Sequence, residues 1–187
     1  MSVCGVCRKR RQVFRLGFSP CAFCEDCFSK NLERKILRNL RRSGLLKKGR
    51  IEASLGTTLE QAVVFYVLKK HLGRSPKFAE SKKSSYLAEP VESFSSRFIS
   101  GFIEGAILKP SSKNLLWLCS AEEIKKYAEL KKIPGKISNY GKIFHILSET
   151  KKKDPAIFFS IARSAEKINE SIGSGREKKG KEKKSCS

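Results

Sequence analysis

Residues Gly49–Gly73 read GRIEASLGTTLEQAVVFYVLKKHLG, and this stretch decides the class of the fold. Gly49–Ser54 reads as a weak strand and Leu55–Thr58 as a loop. Leu59–Leu72 reads as a helix with Val63, Val64 and Val67 turned inward, and Gly73 caps it. Strand–loop–helix is the layout of a nucleotide-binding βα unit, in which loop amides and the helix N-terminus cradle phosphate. This loop is poorly made for that task. Ser54-Leu55-Gly56-Thr57-Thr58-Leu59 offers one glycine and no acid to hold magnesium. On its residues alone it reads as a structural turn.

Working outward, Ser29–Arg42 predicts a helix with Leu32, Ile36, Leu37 and Leu40 on one stripe and basic residues over the rest. Ser43-Gly44 stops it. Residues 73–90 show no period and read as a loop. Ser93–Ile107 predicts a helix with Phe94, Phe98, Ile99, Phe102 and Ile103 on one side. Asn114–Cys119 reads as a buried strand or extended segment. Ser120 caps a helix over Ala121–Lys131, with Glu123 at the reciprocal capping-box position. Gly141–Thr150 and Ala156–Ile172 are further helices. From Gly173 a lysine- and glutamate-rich tail predicts disorder. The expected organisation is a cysteine-rich module plus basic helix over 1–42, a βα unit, loop and helix over 43–110, a helical part of the core over 111–172, and a basic tail over 173–187. The fold class is α/β, helix-rich.

The 187 residues hold 40 Lys+Arg against 18 Asp+Glu, a net charge of +22. Such a charge steers polyanions and releases counterions from phosphate. RNA, DNA and anionic membrane are the candidate partners, and charge alone does not choose among them. No apolar run reaches the ~18 residues of a bilayer span. Met1-Ser2-Val3-Cys4 does not begin a charged-then-apolar leader, so the expectation is an intracellular, cytoplasmic protein.

Five of the seven cysteines fall within the first 27 residues. Cys4-x2-Cys7, sixteen residues, then Cys24-x2-Cys27 is the spacing of a four-cysteine structural zinc site. A two-residue gap lets both sulfurs of a pair reach one tetrahedral ion at about 2.3 Å. Cys21 makes Cys21-x2-Cys24 a competing pair and stays open as an alternative ligand. Ordinary buried cysteines and a redox pair are the other readings of the cluster. Arg8-Lys9-Arg10-Arg11 lies between the knuckles, where a rigid base would present it to phosphate. Cys119, after three apolar residues, reads as a buried structural thiol, and Trp117 as core. His71 and His145 read as packing or surface residues. Arg163 suits phosphate contact and a solvated or ion-paired role equally.

Taken in order, these segments resemble the tRNA 2-thiolation proteins of the PP-loop ATPase superfamily (adenine nucleotide alpha hydrolase-like). Phe23-Cys24-Glu25-Asp26-Cys27-Phe28 before a basic helix is similar to the family's N-terminal motif. Leu118–Leu130 resembles its glutamate-containing helix after the last core strand, and Ile161-Ala162-Arg163-Ser164-Ala165-Glu166-Lys167-Ile168 its late LLRSxEKI helix. Active members carry SGGxDS in the loop. Ser54 and Gly56 match its first and third positions, so they are the degenerate nucleotide-binding residues. Leu55 replaces a glycine, Thr58 the aspartate and Leu59 the last serine.

The departures define the expectation further. Active thiolases carry a cysteine pair in mid-chain and one cysteine late. This chain has no cysteine between Cys27 and Cys119, and none in Gly135–Tyr140, where the late one is expected. Residues 73–92 are too few for the usual middle βαβ units, about 30 residues each. The resemblance is therefore to the cytoplasmic tRNA 2-thiolation protein 2 family, in a shortened form with a truncated PP-loop core. It implies a non-catalytic subunit of a wobble-uridine thiolation complex, paired as a heterodimer with a catalytic subunit that retains the intact loop. It implies structural zinc and no ATP in this chain. By their charge and placement, Arg8, Lys9, Arg10 and Arg11 and, on the basic helix, Lys35, Arg38, Arg41 and Arg42 are the expected tRNA contacts. A zinc-containing nucleic-acid-binding module unrelated to thiolation is the alternative.

Overall fold

The structure, a computed structural model, describes residues 2–47 and 49–182, with side chains as far as Ser171. Two hairpins open it: β1 (Ser2–Val3) pairs antiparallel with β2 (Arg10–Arg11), and β3 (Phe14–Arg15) with β4 (Ala22–Phe23). Strands of two residues have no stability of their own. The second hairpin is anchored by Phe14 and Phe23, which meet Phe28 edge-on at 5.1 and 6.2 Å between centroids. Phe28 belongs to α1 (Glu25–Arg42). This helix starts before the Ser29 that the apolar stripe marks. Cys24 is its N-cap, and Glu25 and Asp26 occupy the first turn, where negative charge complements the helix dipole.

The central unit is β5 (Ile51–Ala53), α2 (Leu59–Leu72) and β6 (Phe78–Glu80). β5 and β6 pair in parallel, Ile51 opposite Phe78 and Ala53 opposite Glu80. Ile51 and Ala53 point into the core, while Glu52 faces out. The second strand lies in the stretch expected to be loop. Three residues are too short to display a period of two. α2 has the bounds read from the sequence and buries Val63, Val64 and Val67 completely.

Four helices follow: α3 (Val91–Ile103), α4 (Ala121–Lys131), α5 (Lys142–Lys151) and α6 (Ile157–Glu182). α3 stops short of the expected Ile107, because Gly105 takes a left-handed φ of +79° and turns the chain, with Ala106 N donating to the carbonyl of Gly101 at 2.7 Å. The α4 capping box between Ser120 and Glu123 forms as expected. α6 continues as helix to Glu182, past the Gly173 at which disorder is expected; residues 183–187 lie outside the described residues.

Asn114–Cys119 is no strand. Leu115, Leu116 and Cys119 are fully buried, but the chain turns there and its polar groups find other partners. Asn39 Nδ2 donates to the carbonyls of Leu115 and Trp117 at 3.0 and 2.9 Å, and Leu116 N donates to Asn114 Oδ1 at 3.1 Å. Apolar burial without alternation fits strand and turn alike, so the pattern alone could not separate them.

Two apolar clusters result. The larger joins α1, the βαβ unit, α4 and the Leu115–Cys119 turn. The smaller gathers Val91, Phe94 and Phe98 of α3 with Phe158, Ala162 and Ala165 of α6. Thus Phe94 and Phe98 are covered by the chain itself, whereas Phe102 and Ile103 are exposed. Among the described residues no helix is long and apolar enough to cross a membrane.

Candidate metal centre, closed loop and basic cleft

The two hairpins bring Cys4, Cys7, Cys24 and Cys27 together, with all four sulfurs within 4.8 Å of one another. Cys7 Sγ lies 3.8 Å from Cys24 Sγ. Cys21 is exposed and outside the group. The first knuckle closes through Arg8, held in the left-handed region at φ 57°, whose amide donates to the carbonyl of Cys4 at 2.9 Å. Backbone donors converge on Cys4. The amide of Cys7 draws its thiol down to about 6 against the opposing effect of burial, with help from Cys24 N, 3.3 Å from the sulfur. Cys27 is pushed up to about 12 by burial and by hydrogen bonding to the other three thiols. A cation among four thiols removes that conflict, since a bound metal stabilises every thiolate at once. Donor set, separation and amide support therefore fit a closed metal site.

The Ser54–Thr58 loop is bonded to itself. Gly56 N donates to Ser54 Oγ at 3.1 Å, Thr57 N to Gln61 Oε1 at 3.2 Å, and Gln61 N to Thr58 Oγ1 at 3.4 Å. Ser54 N is taken by Ser84 Oγ at 3.1 Å. Gly56 has φ +67°, and a Cβ there would collide with the Gln61 side chain. The segment around Lys136–Tyr140 roofs the N-terminus of α2. Leu59 N donates to the carbonyl of Lys136 at 2.9 Å. The carboxylate of Glu60, fully buried in the first turn, accepts from Ser138 N, Ser138 Oγ and Tyr140 Oη at 3.0, 3.1 and 2.7 Å. The amides of Ser54, Gly56, Thr57, Leu59 and Gln61 already have acceptors, and a carboxylate occupies the helix end. Gln61 escaped the sequence reading, although Thr58-x-x-Gln61 is a capping-box spacing.

The basic residues divide into two groups. Arg11 binds Asp26 at 2.6 Å and Lys35 binds Glu123 at 2.6 Å. Arg8, Lys9, Arg10, Arg38, Arg41, Arg42 and Arg163 have no ion-pair partner among the described residues. Lys35, Arg38 and Arg42 lie along one face of α1 and line a cleft of about 380 Å³ together with Trp117 and Arg163; Arg41 is not part of it. Trp117, expected in the core, is only half-buried: it meets Phe94 edge-on at 4.9 Å and forms part of the cleft. Cys119 is fully buried, which drives its thiol upward, so it is an inert structural thiol. His71 packs its Nε2 2.8 Å from Glu33. Glu33 also accepts from Lys70 at 2.8 Å and Tyr127 Oη at 2.7 Å, tying α1 to α2 and α4. Burial works against that carboxylate, but the bonds from Lys70, His71 and Tyr127 prevail and hold it below its usual range. Sequence reasoning missed Glu33, Glu60 and Asn39, because a buried polar residue on a helix is indistinguishable from a solvated one until its neighbours are known.

No protein-family model matches the chain, and no curated protein matches it in sequence. Among solved structures it is similar to the U34-tRNA thiolase NcsA from Methanococcus maripaludis, determined with its 4Fe-4S cluster, at a TM-score of 0.68 and 16% identity. The likeness covers 90% of this chain and 87% of that one, and it establishes that the two share a fold.

Proposed function

We propose that this chain is a non-catalytic subunit of a complex that 2-thiolates the wobble uridine of tRNA, working in the cytoplasm and binding both tRNA and a catalytic partner. The observation that carries the proposal is the closed loop. A fold shared with a U34-tRNA thiolase has its phosphate-cradling amides bonded to Ser54 and Gln61 instead. In this division of labour a partner with an intact SGGxDS loop activates the uridine C2 oxygen by adenylation, and sulfur displaces AMP. This chain, a shortened member of the PP-loop group, supplies RNA affinity through its +22 charge. Phe102, Ile103 and Ile107, exposed by 59%, 70% and 47%, put apolar surface at the end of α3 and just beyond it, suited to the partner.

We assign structural zinc to the four-cysteine centre. Zinc–sulfur bonds of ~2.3 Å in a tetrahedron place sulfurs ~3.8 Å apart, the separation of Cys7 and Cys24 being 3.8 Å. A 4Fe-4S cluster attaches each thiolate to a different iron and holds the sulfurs farther apart than one shared ion does. Four protein ligands leave no open position, which is the mark of a structural ion.

Co-expression tests the reading. The chain should co-purify with a PP-loop protein bearing SGGxDS, and the pair should thiolate tRNA where the chain alone does not. Zinc and RNA binding with no such association would favour the unrelated nucleic-acid-binding module.

A further inference from the structure

We propose that the cleft between α1 and α6 holds one nucleotide of a single-stranded RNA, its base against Trp117 and its phosphates on Arg38, Arg42 and Arg163. The proposal rests on the RNA-binding reading above and names the part of the RNA that is recognised. Arg38 and Arg42 stand four residues apart on α1 and so share a face. Arg163 approaches from α6, and all three lack carboxylate partners among the described residues. An arginine fork matches phosphate oxygens in pairs. Phe18 and Phe159, 5.0 Å between ring centroids, add aromatic surface to the same cleft.

Trp117 is held in place from behind. Phe94 abuts it, and Asn39 Nδ2 fixes its carbonyl at 2.9 Å. The next residue, Leu118, takes φ +59°, which is strained for a branched side chain and is sustained only where surroundings over-determine it. A second hollow of about 400 Å³ shares Asn39, Arg42 and Trp117 with the first, and carries Glu166 and Glu170 together with Lys109. Carboxylates repel phosphate but accept from base amines and ribose hydroxyls. Glu166 and Glu170 therefore offer acceptors to base and sugar beside Trp117, while Arg38 and Arg163, which line the first cleft only, mark the phosphate side with Arg42 between the two hollows. A duplex cannot enter in this way, because its bases are already stacked on each other; single strands offer free faces to an aromatic platform.

Trp117 is the only tryptophan, so its emission reports the site directly. The probe is a short oligouridylate added to the full chain, with uridine monophosphate and a blunt RNA duplex as separate arms. The expected result is saturable quenching by the oligouridylate, with Arg38→Ala and Arg163→Ala each weakening binding about tenfold, a loss of roughly 1.4 kcal/mol. Both arginines are exposed, so these variants retain the fold; Trp117→Leu, checked by circular dichroism, should weaken binding similarly in an anisotropy assay. Oligouridylate binding without quenching and unaltered by Arg163→Ala would overturn the cleft while leaving RNA binding intact. Equal affinity for the monophosphate would make this a free-nucleotide site, and equal quenching by the duplex would remove the single-strand requirement; either overturns the proposal. Absence of any RNA affinity would instead defeat the function proposed above.

Discussion

The backbone amide of Thr57 donates to Oε1 of Gln61 at 3.2 Å, so a loop amide that would face phosphate faces its own helix. Gly56 N is engaged by Ser54 Oγ and Ser54 N by Ser84 Oγ, and Glu60 sits buried under residues 136–140. To admit a triphosphate, the loop would have to break three hydrogen bonds and bring phosphate towards a carboxylate. Each of those bonds costs about 0.5–1.5 kcal/mol net to lose. The expected outcome is that millimolar Mg-ATP leaves the thermal midpoint of the isolated chain unchanged. A ligand at a hundred times its Kd would raise stability by about 2.7 kcal/mol. Stoichiometric AMP release on tRNA by the purified chain would contradict this reading.

The metal centre gives a second expectation. Cys24→Ser and Cys27→Ser should each abolish stoichiometric zinc, whereas Cys21→Ser should retain one ion per chain, because its side chain lies outside the sulfur group. The first hairpin has two residues per strand and exposed strands, so metal binding supplies most of its folding free energy. Chelation should release amide-exchange protection first across 2–11, whose strands lack the Phe14 and Phe23 anchors, while α2 and α4 stay protected. Full zinc in Cys27→Ser would mean that the fourth ligand is another residue.

What the sequence disclosed follows from how local each signal is. α2 and α4 are legible to the residue because their apolar residues recur at helical spacing and Ser120 announces α4; the cap that Thr58 gives α2 lies in a stretch that reads only as loop. The cysteine group is legible in outline, because two-residue gaps let paired sulfurs share one ion, but spacing leaves Cys21 competing with Cys27 until the hairpins place it outside the group. β6 is not, since three residues carry no period, and Leu115–Cys119 misleads because burial without alternation is shared by strands and turns. The cleft is invisible for another reason. Arg163 and Arg38 are 125 positions apart in the chain, and only the packing of α3 and α6 beside Trp117 brings them to one wall.

Glu92 carries a pH prediction. It is 3% exposed, and its carboxylate accepts from Ala121 N at 2.8 Å, with Lys151 3.9 Å away. Burial raises its pKa above the ordinary carboxylate value, and the bond from Ala121 only partly offsets this. The folded chain thus holds that proton more tightly than the unfolded chain does. The stability involved is fully present below the unfolded pKa of ~4.3 and is lost as pH rises through the folded value. Glu92→Gln keeps an acceptor for Ala121 and removes the titration. Its denaturation midpoint should match that of the parent at low pH and exceed it at pH above the folded value of Glu92. A difference that shrinks with rising pH would contradict the assignment.

Basic residues without a carboxylate partner are free to meet phosphate, and those held in ion pairs are not. Arg11 and Lys35 are held by Asp26 and Glu123 at 2.6 Å, and Glu123 is 2% exposed, so Lys35 answers a buried charge. Removing either should change the salt dependence of tRNA binding little, and Lys35→Ala should mainly destabilise the fold by stranding Glu123. Arg38, Arg42 and Arg163 have no such partner among the described residues. Taking away one cation that neutralises a phosphate lowers the slope of log K against log salt by roughly 0.7–0.9, so the triple alanine variant should flatten it by about 2–3. Arg8, Lys9 and Arg10, beside the metal knuckle and also unpaired among the described residues, should contribute similar decrements. Binding measured at several salt concentrations for these sets decides the matter. If Arg11→Ala flattens the slope as much as Arg163→Ala does, pairing within the fold does not govern which cations reach the RNA.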